Sequence, residues 1–285
     1  DSFATPIADL RNSIITSEGS VERCGGDSLF TIIIQTEDVG GNLHSILKII
    51  EGEDADLAWQ VDLGETDEIK AAPVIVDLND DGIQEIIVAF DMSSTFYVKS
   101  YSPELVCSVT GWSPGGSHSA ELLWTYSDSS LMIGSTDGPY VSSAYGNHKP
   151  TAQPLLADLD LDGTAELVLS LIDKDSDDPV VLALDLTGTA ATSIWQKTLD
   201  KGTHPSDPAF VQTDENTAFI LLTSVQSSSS AMWVWKLDAN DGDANWDGKS
   251  LGNTQGFDSD VPHIRLPGPV ISNLDSDDAM EMIIT

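Results

Sequence analysis

The chain has 285 residues, with 12 Lys and Arg against 47 Asp and Glu, a formal net charge of −35 and a pI near 4.1. This balance excludes nucleic acid as a partner, because no basic stripe exists to displace phosphate counterions, and it argues against an anionic membrane surface. With 40% hydrophobic residues the chain is globular rather than a disordered acidic tail, and its longest apolar runs, such as Leu29–Ile34, are too short to span a bilayer.

In chain order, residues 1–18 read as an N-terminal strand or linker. A repeating unit then begins. Its first copy is faint, opening near Gly19 with Cys24-Gly-Gly-Asp27 as a turn and Leu29–Ile34 as a second apolar run. The second copy starts at Pro73 and places Asp77, Asn79, Asp81, Gly82, Ile83 and Glu85 between two apolar runs. The third starts at Pro154 and repeats the pattern with Asp158, Asp160, Asp162, Gly163, Thr164 and Glu166. A fourth, from Pro208, keeps the apolar runs and loses the acidic loop. A fifth, from Pro269, carries Asn273, Asp275, Asp277, Asp278, Ala279 and Glu281.

The units thus start near 19, 73, 154, 208 and 269. The longest carries an insertion at the Gly/Ser-rich 111–119 or 134–147. Tryptophan strands around Trp59, Trp124, Trp195 and Trp233–Trp235 are expected to close the units. Thr95–Tyr101, Val180–Leu186 and Leu43–Ile50 supply strands between. These pieces are short, rich in β-branched and aromatic residues and bounded by Gly, Asp, Asn and Ser, and no stretch has a helical period. About four strands per unit predicts an all-β β-propeller of four-stranded blades over residues 19–285. A β-sandwich with coincidental acidic turns is the competing reading. The last unit stops after its second strand, so the expectation is an incomplete propeller, finished by further chain or by another molecule.

The repeated loop carries acids or amides at positions 1, 3 and 5, a backbone carbonyl at 7 and glutamate at 9. Alternate side chains of a tightly curled loop converge on one point. Calcium accepts an irregular shell of six to eight oxygens. An EF-hand is excluded by spacing, because position 12 is Val88 or Leu169 rather than glutamate and the flanks are strands. The alternative is a merely solvated acidic turn, but acids packed so closely repel one another unless a cation neutralises them. Asp241-Gly-Asp243-Ala-Asn245-Trp-Asp247-Gly248 is a further candidate calcium loop around Asp243–Asp247, although Leu251 occupies its position 9. Asp173–Asp178 reads as a solvated hairpin loop.

The unit as a whole, apolar run, Asp-x-Asp-x-Asp-Gly-x-x-Glu, apolar run, resembles the FG-GAP/VCBS repeats of integrin-α-like β-propellers. The resemblance implies one calcium per loop, between the first two strands of a blade. The implied ligands are Asp77, Asn79, Asp81, the Ile83 carbonyl and Glu85; Asp158, Asp160, Asp162, the Thr164 carbonyl and Glu166; and Asn273, Asp275, Asp277, the Ala279 carbonyl and Glu281. The Phe-Gly and Gly-Ala-Pro signatures of that family are not well kept, and the closing tryptophans look like those of quinoprotein-type propellers.

No catalytic constellation is evident. His44, His118, His148, His204 and His263 are scattered, and no nucleophile elbow, Cys-x-x-Cys pair or phosphate-binding loop is present. The tryptophans read as core rather than as sugar platforms. Cys24 and Cys107 allow one disulfide or two buried thiols. The expectation is therefore a non-catalytic, extracellular or cell-surface calcium-binding module for adhesion, scaffolding or ligand display, with a protein or carbohydrate partner and no membrane insertion. Two alternatives stand beside it. One is a polysaccharide-active, lyase-like or quinoprotein-like enzyme domain, for which Arg11, Arg23 and Arg265 are a thin supply of basic groups unless calcium substitutes. The other is a self-assembling subunit of a surface layer or filament.

Overall fold

A computed structural model describes residues 19–22, 29–51, 57–66, 69, 71–79, 84–102, 121–133, 152–186, 190–226, 231–253, 268–272 and 281–283. Among them there is no helix. The chain divides into two compact units, Asp1–Ser127 and Asp128–Thr285.

The first unit holds two sheets, each a four-stranded meander in chain order. One comprises β1 (Gly19–Glu22), β2 (Leu29–Val39), β3 (Asn42–Glu51) and β4 (Leu57–Asp62). The other comprises β5 (Val74–Val76), β6 (Glu85–Met92), β7 (Thr95–Ser102) and β8 (Glu121–Asp128). β6 is buried from Glu85 to Asp91, on both faces, which is why its sequence is a continuous apolar run rather than an alternating one. One face packs against the first sheet: Ile86, Val88, Phe90 and Tyr101 meet Ile32, Ile34, Leu47, Ile49 and Trp59, with Leu63 and Ile69 between.

The second unit repeats this construction. β10 (Leu155–Ala157), β11 (Glu166–Asp173), β12 (Pro179–Asp185) and β13 (Thr192–Thr198) form a meander, and the short β9 (Leu131–Met132) also pairs with β11. The next sheet runs β14 (His204–Pro205), β16 (Thr217–Gln226), β17 (Ala231–Asp238), β18 (Ala244–Asn253), with β15 (Ala209–Asp214) also on β16. β19 (Val270–Ser272) and β20 (Glu281–Ile283) form an antiparallel pair. Val168, Val181, Ala183 and Trp195 of one sheet pack on Ile220, Leu222, Trp235 and Leu237 of the next.

Fourth strands differ from inner ones. In β13 the sole buried residue is Trp195, flanked by exposed Thr192, Ser193, Ile194 and Gln196; in β8 it is Trp124. One large indole therefore anchors an otherwise solvated strand, removing 150–250 Å² of aromatic surface from water by the usual estimate, roughly.

Two expectations need correction. Trp233 and Trp235 do not lie on a closing strand. They belong to β17, which pairs with β16 on one side and β18 on the other and is therefore interior. The closing strand is β18, with Trp246. The candidate calcium loop at 241–248 is also absent as a loop. Asp241–Asp243 make the β17–β18 turn, where the Asp243 amide donates to Asp241 Oδ1 at 2.9 Å. From Ala244 onward the segment pairs with β17, with register shifts at Asn245 and beside the left-handed Gly248 (φ 59°), so Asn245 and Asp247 stand on a bulged strand and not on a closed turn. The proposed strand or linker at 1–18, both cysteines, all three arginines and both candidate insertions lie outside the described residues.

Candidate metal centre

The loop from Asp158 to Glu166 joins β10 to β11. Its curl rests on two left-handed residues, Leu161 (φ 61°) and Gly163 (φ 96°). Glycine enters that region freely; leucine does so only against a steric cost, and here the Leu161 side chain packs on the core between the β10–β13 sheet and the β14–β18 sheet. Backbone amides tie down the acids. Asp158 accepts from the amides of Asp162 (3.0 Å) and Gly163 (2.9 Å), and Asp160 accepts from Asp162 at 3.2 Å.

Glu166 is the first residue of β11, so strand pairing fixes its backbone. Its side chain is only 4% exposed, and Oε2 accepts from the Leu159 amide at 2.7 Å. One oxygen each of Asp158, Asp160 and Glu166 can be chosen so that all three lie within 4.8 Å of one another. Burial, with the charges of Asp160, Asp158 and Asp162 adding to it, pushes the Glu166 carboxyl up to about 7, although the Leu159 amide pulls it the other way. Three hard oxygen donors gathered against their own repulsion, one of them buried, are a donor set that fits a divalent cation.

Asp162 and Thr164 are bonded to each other within the loop. Asp162 Oδ1 accepts from both the amide (2.8 Å) and the hydroxyl of Thr164, and these bonds hold the Asp162 carboxyl below its ordinary range. The Thr164 hydroxyl also reaches Glu166 Oε1 at 3.4 Å. Asp162 therefore closes the turn and stands outside the trio. Neither the Thr164 hydroxyl nor the seating of Leu161 in the core was readable from the motif, whose pattern leaves both positions open.

The second-copy loop shares one diagnostic bond. Glu85, 2% exposed and first in β6, accepts on Oε2 from the Leu78 amide at 2.7 Å, seven residues back, as Glu166 does from Leu159. Asp77 and Asn79 are placed on the same loop; Asp81 and Ile83 lie outside the described residues. In the last copy Glu281 opens β20, while Asn273, Asp275, Asp277 and Ala279 lie outside the described residues.

No protein-family model matches this chain, and no curated protein matches it. A search of solved structures finds rhamnogalacturonan lyases. Bacillus licheniformis rhamnogalacturonan lyase PL11 aligns over 94% of this chain and 55% of its own, at 14% identity and a TM-score of 0.43. Rhamnogalacturonan lyase YesW aligns over 96% of this chain and 59% of its own, at 14% identity and a TM-score of 0.37. The exotype rhamnogalacturonan lyase YesX aligns over 83% and 52%, at 14% identity and a TM-score of 0.35. The chain spans little more than half the length of these proteins.

The expectation of a non-catalytic module is corrected to this extent: the solved structures to which the chain is similar are lyases, not adhesion modules. A lyase eliminates a leaving group and needs a positioned base and charge neutralisation rather than a nucleophile beside a base, so the lack of a nucleophile–base pair in the sequence does not bear on that chemistry.

Proposed function

We propose that this chain is a calcium-loaded β-propeller portion of a polysaccharide-active, lyase-type enzyme working outside the cell, with FG-GAP/VCBS-like loops as its metal centres. The observation that carries the reading is the convergence of Asp158, Asp160 and Glu166 on one point at the opening of a sheet. The Glu85 to Leu78 bond supports a second centre of the same design. Face-to-face packing of successive meanders supports the blade arrangement.

Asp158, Asp160 and Glu166 would hold the ion, with Asp77, Asn79 and Glu85 in the other loop. Bound calcium supplies concentrated positive charge to a chain that has only 12 Lys and Arg. The residues of the loop orient the carboxylates through the amides of Leu159, Asp162 and Gly163, and burial of Glu166 keeps water from one side. An acidic polysaccharide is the substrate class for which such charge matters most, because elimination next to a uronate requires its carboxylate to be neutralised.

The test is to incubate the full chain with rhamnogalacturonan, with and without calcium, and follow the ultraviolet absorbance of unsaturated product. Calcium-dependent product is expected. No product with calcium-saturated protein overturns the enzyme part of the proposal; a metal content of zero after dialysis against calcium overturns the metal part.

A further inference from the structure

Away from the loop, the second unit carries an aromatic–lysine cluster on three neighbouring strands. Strand register pairs Leu221 of β16 with Lys236 of β17, and Lys236 with Trp246 of β18. Phe219 stands one row further along β16, opposite Asp238. Lys236 Nζ lies 3.5 Å from the centroid of the Phe219 ring and 5.6 Å from that of Trp246.

Two features separate this cluster from ordinary surface. Trp246 is 39% exposed, whereas Trp59, Trp124, Trp195 and Trp235 are buried. A single exposed aromatic is unremarkable by itself. Lys236 is the second feature. In a chain with 47 acids, its ammonium has no carboxylate partner among the described residues; ring faces hold it instead. A cation seated on aromatic faces keeps its charge with little competing hydration on that side, leaving the rest of the ammonium for an incoming anion.

We propose that Phe219, Lys236 and Trp246 form a binding platform for a uronate-bearing sugar chain. The Trp246 ring stacks against the C–H face of a pyranose and Lys236 receives the carboxylate. This deepens the polysaccharide reading above and rests on its substrate class. Charge complementarity commits the platform to an acidic rather than a neutral sugar. Asp238 in the next row and Asp241, Asp243 and Asp247 along the adjoining turn and strand repel an anionic polymer wherever no cation meets it, so Lys236 sets the place where a carboxylate can sit.

Binding of the full chain to galacturonate oligomers, to their methyl esters and to a neutral galactan, measured by titration calorimetry in calcium, tests the platform. Wild type should prefer the free acid over the ester about tenfold, the worth of one charge-assisted hydrogen bond. Lys236→Gln should bring that ratio to one while retaining ester binding. Trp246→Ala should weaken both ligands, and Trp246→Phe should restore most of the loss. Circular dichroism of each variant confirms the fold. Unchanged affinities in K236Q and W246A overturn the platform, as does wild type that binds no oligomer. Product formation by W246A with wild-type affinity overturns the platform and leaves the lyase reading intact; uronate binding lost in the variants, with no product from wild type, keeps the platform and removes the lyase reading.

Discussion

The indole N–H of Trp195 donates to the backbone carbonyl of Ala239 at 2.9 Å, reaching from the last strand of one sheet to the β17–β18 turn of the next. The same ring lies on Gly242, where an added Cβ would meet Trp195 Cε3 at 2.6 Å. Gly242 is left-handed (φ 74°), so the turn needs glycine for its backbone as well as for the close approach. A fourth strand that is otherwise exposed is thereby fixed to its neighbouring sheet through one side chain.

Gly242→Ala should therefore destabilise twice over, through the left-handed backbone, about 1–2 kcal/mol, and through displacement of the indole. Trp195→Phe should lose the hydrogen bond and the fused-ring contact with Gly242, about 1–3 kcal/mol, and Trp195→Ala about 3–5 kcal/mol. Urea midpoints at constant slope measure all three. A G242A midpoint equal to wild type would show that the turn does not carry this contact.

Calcium should raise the melting temperature. A ligand bound only by the folded state stabilises it by about 2.7 kcal/mol per site at a hundredfold excess over Kd. Chelation should lower the transition by several degrees, and Asp160→Ala should shrink that shift. A melting curve indifferent to excess chelator, together with no metal by elemental analysis, rejects the metal centre.

Glu166→Gln separates charge from shape. The amide oxygen can still accept from Leu159, but the buried negative charge beside Asp158 and Asp160 is gone. Above pH 7, where the wild-type carboxyl is ionised, the calcium-free variant should melt above wild type because repulsion is relieved; with calcium it should melt below, because a charged oxygen donor is missing. Glu85→Gln should behave likewise. The same sign in both conditions contradicts the arrangement.

His204 gives a pH signature. It shares a 2.8 Å hydrogen bond with the Thr203 hydroxyl, and burial holds its imidazole below the ordinary 6.5, against a weaker upward pull from Asp177. The unfolded chain therefore takes up this proton before the fold does. Its contribution to stability is complete above pH 6.5 and is lost as pH falls through the depressed folded value. Wild type should lose stability relative to His204→Asn over that window, and parallel pH–stability curves would refute the assignment.

The gathering of Asp158, Asp160 and Glu166 was legible in the sequence because these acids are close neighbours along the chain: spacing, a glycine and a strand starting at Glu166 suffice to bring them together locally. The buried inner strands were equally legible, since two-sided burial leaves β6 and β11 as uninterrupted apolar runs. What the sequence could not decide was which apolar run is interior and which is outermost. Trp235 and Trp195 look alike as residues in strands, yet pairing on both sides makes the first interior and pairing on one side leaves the second as an anchor. Asp241–Gly248 has ligand-like alternation, but pairing to β17 holds most of it on a bulged strand. Lys236, Phe219 and Trp246 are 10 to 27 residues apart and meet only through register. Local curvature is written in local sequence; strand neighbours are set by the free energy of packing whole sheets, and only the tertiary structure decided them.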